Sequence, residues 1–223
     1  MRHLLYVPII HSAADLGTLG PEIERKSASL YGEERWAKHN ETMAGFWATI
    51  ARYRQSLDAA SLRIYQDGLA AGGELGRRIV DEAANRGGVN YQIIRDLLER
   101  GAEIRKTEDV PLLMEELKLA QEDAAGKGTN PSLLRFKKAR LTDQRDRFVA
   151  RAIDETLEEG ETGVLFMGAY HDVLRHLPRD IVVHQLREQD KVRAYFEALT
   201  SRGNAGKLEE LGRYLAAPVE APR

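Results

Sequence analysis

An α/β fold, with a mostly parallel central sheet of about five strands flanked by helices on both faces, follows from three features of the sequence. Short runs rich in β-branched and aromatic residues recur along the chain, and amphipathic helical patterns separate them, the alternation that a parallel sheet requires. One run, Gly163-Val164-Leu165-Phe166-Met167-Gly168, carries no charge and is too short for a useful helix, so it predicts a strand buried on both faces. The 223 residues, 43% of them hydrophobic, suffice for one sizeable core. We expect a single domain over residues 1–217 and a loose tail over 218–223.

The first strand is expected over residues 4–10, ending at His11. Pro8 cannot donate to a sheet ladder, which predicts a local irregularity there. Residues 12–20, with two glycines, suit a loop over the sheet rim. Trp36, Met43, Phe46, Trp47, Ile50, Tyr53 and Leu57 recur every three or four residues and predict one amphipathic helix over 33–57. Residues 62–66 alternate and stop at Asp67-Gly68, a second strand ending in a carboxylate. Helices follow over 75–85 and 90–100, the latter closed by Gly101 as a C-cap. A weak third strand, 102–106, leads to Glu108-Asp109 and a helix over 111–122. Asn130-Pro131 reads as N-cap and first residue of a long helix reaching 159. After the central strand come a short helical turn over 171–177, a fifth strand over 180–184, and helices over 189–201 and 207–216.

Thirty-three basic residues stand among thirty-five acidic ones without a long single-sign run, so no nucleic-acid or anionic-membrane partner is expected. Cysteine is absent, which removes disulfides, thiolate ligands and a cysteine nucleophile. No apolar run approaches the roughly twenty residues of a membrane span, and residues 4–10 lack the form of a signal peptide. A cytoplasmic location is the expectation. Gly72-Gly73 lacks the spacing and the lysine of a phosphate loop, and no Gly-x-Ser-x-Gly elbow occurs. Trp36, Trp47 and Tyr53 serve equally as core residues or as a homodimer surface.

In a parallel sheet the carboxyl ends of the strands share one rim, where ligands bind. His11, Asp67 and His171 all end predicted strands and so could meet there. Each has a plainer reading: His171 as a cap of the next turn, Asp67 as half of an Asp-Gly turn. Tyr170, Asp15 and Asp172 border the same rim as weaker candidates. Glu108 and Asp109 precede a helix, where acids complement the dipole, and we expect that role for them.

The ordered set Pro8-Ile9-Ile10-His11, Asp67, Arg145-Asp146 within a long helix, and Gly168-Ala169-Tyr170-His171 resembles the TraB/PrgY/TIKI/GumN superfamily. Its wider relatives include erythromycin esterases and haem-binding ChaN-like proteins. The resemblance spans roughly residues 4–186 through short motifs, and the sequence departs from it twice. Pro8 replaces the usual first glycine, and Asp67 the usual glutamate, whose carboxylate reaches one bond further. What the resemblance implies is divalent-metal-dependent hydrolysis using the two histidines and the strand-end acid, here His11, Asp67 and His171.

Two imidazoles and a carboxylate suit Zn, Mn, Fe or Co and leave positions open for water. Arg145 could then hold a substrate carboxylate or stabilise developing negative charge, or else pair with an acid such as Asp146 or Asp67. The leading expectation is thus a metal-dependent hydrolase of an amide, ester or similar bond in a small molecule or peptide. A non-catalytic small-ligand, haem-binding or regulatory protein on the same fold is the alternative. A metal-free enzyme with His11 or His171 as general base, oriented by Asp67, is a third.

Overall fold

From Leu4 to Ile9 the first strand carries no charged side chain, so both of its faces can be buried. The computed structural model describes residues 1–10, 20–124, 130–201, 203 and 205–219. In it β1 (Arg2–Ile9) is buried throughout Leu4–Ile9. It lies between β4 (Thr162–Gly168) and β5 (Ile181–Gln185). With β2 (Leu62–Gln66) and β3 (Glu103–Arg105) these form a five-stranded, all-parallel sheet in the order β3-β2-β4-β1-β5. The two most apolar strands, β1 and β4, sit inside the sheet and the three-residue β3 at its edge, as their compositions demand.

Side-chain alternation along the strands separates the core into two layers. Leu5, Val7 and Ile9 join Ile64, Val164 and Phe166 on one face, packed under α2 (Glu33–Tyr53), α3 (Gly73–Asn85), α4 (Val89–Glu99), α7 (Gln189–Thr200) and α8 (Ala205–Ala216). Leu4, Tyr6, Tyr65, Leu165 and Met167 face the other way, against Val149, Ala150 and Ile153 of α6 (Pro131–Thr156). Phe166, 1% exposed, contributes about 2–3 kcal/mol by leaving water. α1 (Gly20–Tyr31) packs on α2, and α5 (Val110–Ala124) on α6. Gly163 is required by contact: a Cβ there would lie 2.7 Å from Leu4 Cδ1 and 3.1 Å from Tyr65 Cε2.

The irregularity expected at Pro8 is not found. Register with β4 runs unbroken through Pro8↔Met167 to Ile9↔Gly168. Successive residues direct their backbone groups to opposite neighbours: the Tyr6 carbonyl accepts from Leu186 on the β5 side, that of Ile9 from Ala169 on the β4 side. Pro8 therefore faces the β5 side, where pairing has already ended at Tyr6↔Gln185, and its missing N–H costs no ladder bond.

Other boundaries differ modestly. α2 stops at Tyr53, so Leu57 falls beyond a short 3-10 turn, and α3 starts two residues early at Gly73. α1 has no expected counterpart, because its exposed sequence lacks a continuous apolar stripe. Asn130 caps α6 as expected, its side chain accepting from Ser132 N at 2.9 Å. Among the described residues no helix is long and apolar enough to cross a membrane.

Candidate active site at the sheet rim

Because all five strands run parallel, the segments after β2, β3 and β4 open on one rim, and α6 lies across its α6-side face. Asp67 leaves β2 still in the ladder, its N–H donating to the Phe166 carbonyl at 2.8 Å. Gly68 then turns the chain at φ 75°, a left-handed conformation that favours glycine. The expected Asp-Gly turn is therefore present, and the aspartate is also buried, 7% exposed. Its Oδ2 accepts the Gly168 N–H at 3.1 Å, and its Oδ1 lies 3.3 Å from Arg145 Nη2.

Arg145 sits among three carboxylates. Its Nε and Nη2 hold Glu108 in a fork at 3.0 and 2.5 Å, Nη1 donates to Glu116 at 2.7 Å, and Nη2 also reaches Asp67. Of the two readings of Arg145, the geometry accords with the ion pair, with Asp67 rather than Asp146 as a partner. The dipole role expected for Glu108 is corrected: it is 1% exposed and bound to Arg145. Asp109 alone keeps the helix-end role, accepting from Leu112 N at 3.3 Å at the start of α5. Burial raises the Glu108 carboxyl above its ordinary range despite Arg145. It also works against the Arg145 guanidinium, but Glu108, Asp67 and Glu116 outweigh it and hold the proton more tightly than in free arginine.

Asp146, the next residue on α6, serves a different partner. Its Oδ1 lies 2.6 Å from His171 Nδ1, and its Oδ2 accepts the Asp172 N–H at 2.8 Å. A carboxylate only accepts, so Nδ1 carries the hydrogen and Nε2 is the free position of a neutral ring. Nε2 lies 4.0 Å from Asp67 Oδ2. Burial opposes charge on this imidazole, but the Asp146 hydrogen bond, followed by the Asp67 and Asp146 charges, wins and raises its pKa. His171 is thus not a helix cap; it lies between two carboxylates.

Of the residues expected to converge, Asp67, Arg145 and His171 do so. His11 and Asp15 lie outside the described residues. Tyr170 is 53% exposed with its ring against Phe196, while Asp172 pairs with Arg193 at 2.6 Å. Sequence reasoning missed the roles of Asp146, Glu108 and Glu116. The first two carried a faint signal, an acid beside Arg145 and an acid just after β3; Glu116 carried none.

The 4.0 Å gap between Nε2 and Oδ2 is wider than the roughly 3.3 Å that a tetrahedral ion with bonds of about 2 Å sets between two donors, so the pair as placed is not closed on the divalent ion that the resemblance implies. An outer carboxylate on Nδ1 is what a metal-bound histidine normally has. Among the described residues, however, no group of three or more His, Asp or Glu side chains is arranged to hold a metal.

A cavity of about 570 Å³ lies away from the rim, among α2, α7 and α8, and none of the rim residues lines it. Its buried polar pair is His39 Nδ1 and the Tyr195 hydroxyl, 3.1 Å apart, and burial lowers the His39 pKa to about 4. Trp47 is buried in the chain's own core, and Trp36 stacks with Tyr31 and meets the His39 ring at a tilt, so both tryptophans are engaged within the chain. No protein family, curated protein or solved structure matches the chain.

Proposed function

We propose that this chain is a hydrolase of amide, ester or similar bonds, in which His171 moves the proton. The observation that supports it is the line Asp146–His171–Asp67, one carboxylate fixing the tautomer at 2.6 Å and a second facing the free nitrogen at 4.0 Å. With Nδ1–H held by Asp146, Nε2 takes a proton from water as the water oxygen bonds to the substrate carbonyl carbon. Asp146 stabilises the imidazolium so formed. Nε2–H then protonates the leaving oxygen or nitrogen as its bond to carbon breaks. Asp67, steadied by Gly168 N–H and Arg145, faces the place where that water would sit. Arg145 directs its donors to Asp67, Glu108 and Glu116 and so holds these carboxylates in place rather than binding substrate.

A second reading, metal-dependent hydrolysis, is favoured by the Asp146 carboxylate behind His171 Nδ1, the outer partner that a metal-bound histidine normally has. Asp67 and His171 would hold the ion, and a bound divalent ion supplies a water of lowered pKa. Hydrolysis of p-nitrophenyl esters and p-nitroanilides by the wild type and His171→Ala, with and without excess chelator, tests both. The first reading expects turnover that survives chelator and falls at least roughly 100-fold in His171→Ala. Turnover lost to chelator and restored by a divalent metal selects the second. Equal rates in wild type and variant would remove His171 from the chemistry.

A further inference from the structure

The segment that carries His171 leaves β4 and crosses the rim between α6 on one face of the sheet and α7 on the other. Asp146 grips it from α6. From α7 two residues four apart, and so on one side of the helix, grip it as well. Gln189 Nε2 donates to the carbonyls of Ala169 and His171 at 2.9 and 2.5 Å; both partners are acceptors, which fixes the amide orientation. Arg193 donates from Nε to the Ala169 carbonyl at 2.5 Å, and from Nη2 to the His171 carbonyl at 3.2 Å and to Asp172 Oδ1 at 2.6 Å.

Together these bonds pin the peptide planes around His171. The plane before it is set by His171 N–H donating to the Gly168 carbonyl at 2.9 Å. The plane after it is held at both ends, its carbonyl by Gln189 and Arg193 and its N–H by Asp146 Oδ2. Backbone planes direct the Cα–Cβ bond, and that bond directs the ring. We infer that Gln189 and Arg193 are positioning residues, which act through the 169–172 backbone to keep the His171 imidazole on Asp146 with its Nε2 toward Asp67. This deepens the proposed role of His171 and rests on it for its catalytic consequence. The holding of the ring stands on geometry alone.

The test uses the full chain with Gln189→Met and Arg193→Met, singly and together, and Arg193→Lys, which keeps the charge but loses the planar fork. Far-UV circular dichroism reports the fold. The downfield proton resonance of His171 Nδ1–H reports whether the ring still sits on Asp146. We expect the double variant to keep its circular dichroism and lose or shift that resonance. Its kcat should fall roughly 10–100-fold, as a misplacement of about 1 Å does, with KM within about twofold. Arg193→Lys should fall between wild type and double variant. A resonance unchanged while only the melting temperature drops would overturn the inference, leaving a plain structural clamp. Should the double variant not fold, Gln189→Met, which removes two bonds and no charge, carries the same test. Loss of the resonance in a protein that hydrolyses none of the probes would support positioning and count against the hydrolase reading alone.

Discussion

Arg145 and Asp146 are neighbours that look in different directions. Successive helix positions are about 100° apart, so one side chain reaches Asp67 and Glu108 while the next reaches His171. A motif of adjacent opposite charges invites a local ion pair, which helical geometry forbids at that spacing. That is why the partner of Asp146 was not legible in the sequence although its position was. Asp67 and His171 were legible, because a strand followed by a turn places its last side chains at the rim wherever the sheet is parallel. The Asp146 carboxylate is the main reason that His171 resists burial and holds its proton above the ordinary histidine value. A base must first lose that proton, so the rate should rise with pH through this raised value and level off above it. Asp146→Asn should lower kcat by at least roughly 100-fold. It should also move the rising limb of the pH–rate profile to lower pH, since the favourable charge is gone. A profile unmoved by the substitution would detach Asp146 from His171.

α6 joins the rim to the core, through Val149, Ala150 and Ile153 against the sheet and through Arg145 and Asp146 at the site. Its length and capped start were visible in Asn130-Pro131 and the apolar spacing, whereas its densely charged middle read as solvated surface. Most of that middle is exposed; Arg145, at 7% exposure, is not. Sequence cannot separate one buried arginine from its exposed neighbours, because the acids that neutralise it arrive from the segments just after β2 and β3 and from α5. The cost of breaking this cluster should be large. Arg145→Met leaves Glu108 and Asp67 buried without their cation and should destabilise the protein by about 3–5 kcal/mol in urea unfolding. Adding Glu108→Met should return part of the loss, since the most buried stranded charge is then gone. A double variant less stable than Arg145→Met would show that the pair is not coupled as described.

Across the whole molecule, the fold was the most readable level. Five strands were placed within a residue or two, β2 at its observed bounds, because uncharged or alternating runs leave few other ways to bury their faces. α1 escaped notice for the converse reason, as its side chains are mostly exposed and periodicity has little to act on. Two histidines give the molecule opposite responses to acid. His39, neutral with a pKa near 4, favours folding fully above its unfolded value of about 6.5 and loses that contribution as pH falls toward 4. The loss amounts to ~3 kcal/mol, and His39→Gln should be the less acid-sensitive protein in urea titrations between pH 7 and 4. His171 works the other way. Its raised pKa stabilises the fold fully below about 6.5, and the contribution fades as pH rises through the folded value. The measurement that bears most directly on the site is therefore an NMR titration of the His171 ring in the wild type and in Asp146→Asn. A pKa above 6.5 with the hydrogen retained on Nδ1 in the neutral ring, both lost in the variant, is the predicted result. An ordinary or depressed pKa that ignores the substitution, or a neutral ring protonated on Nε2, would contradict it.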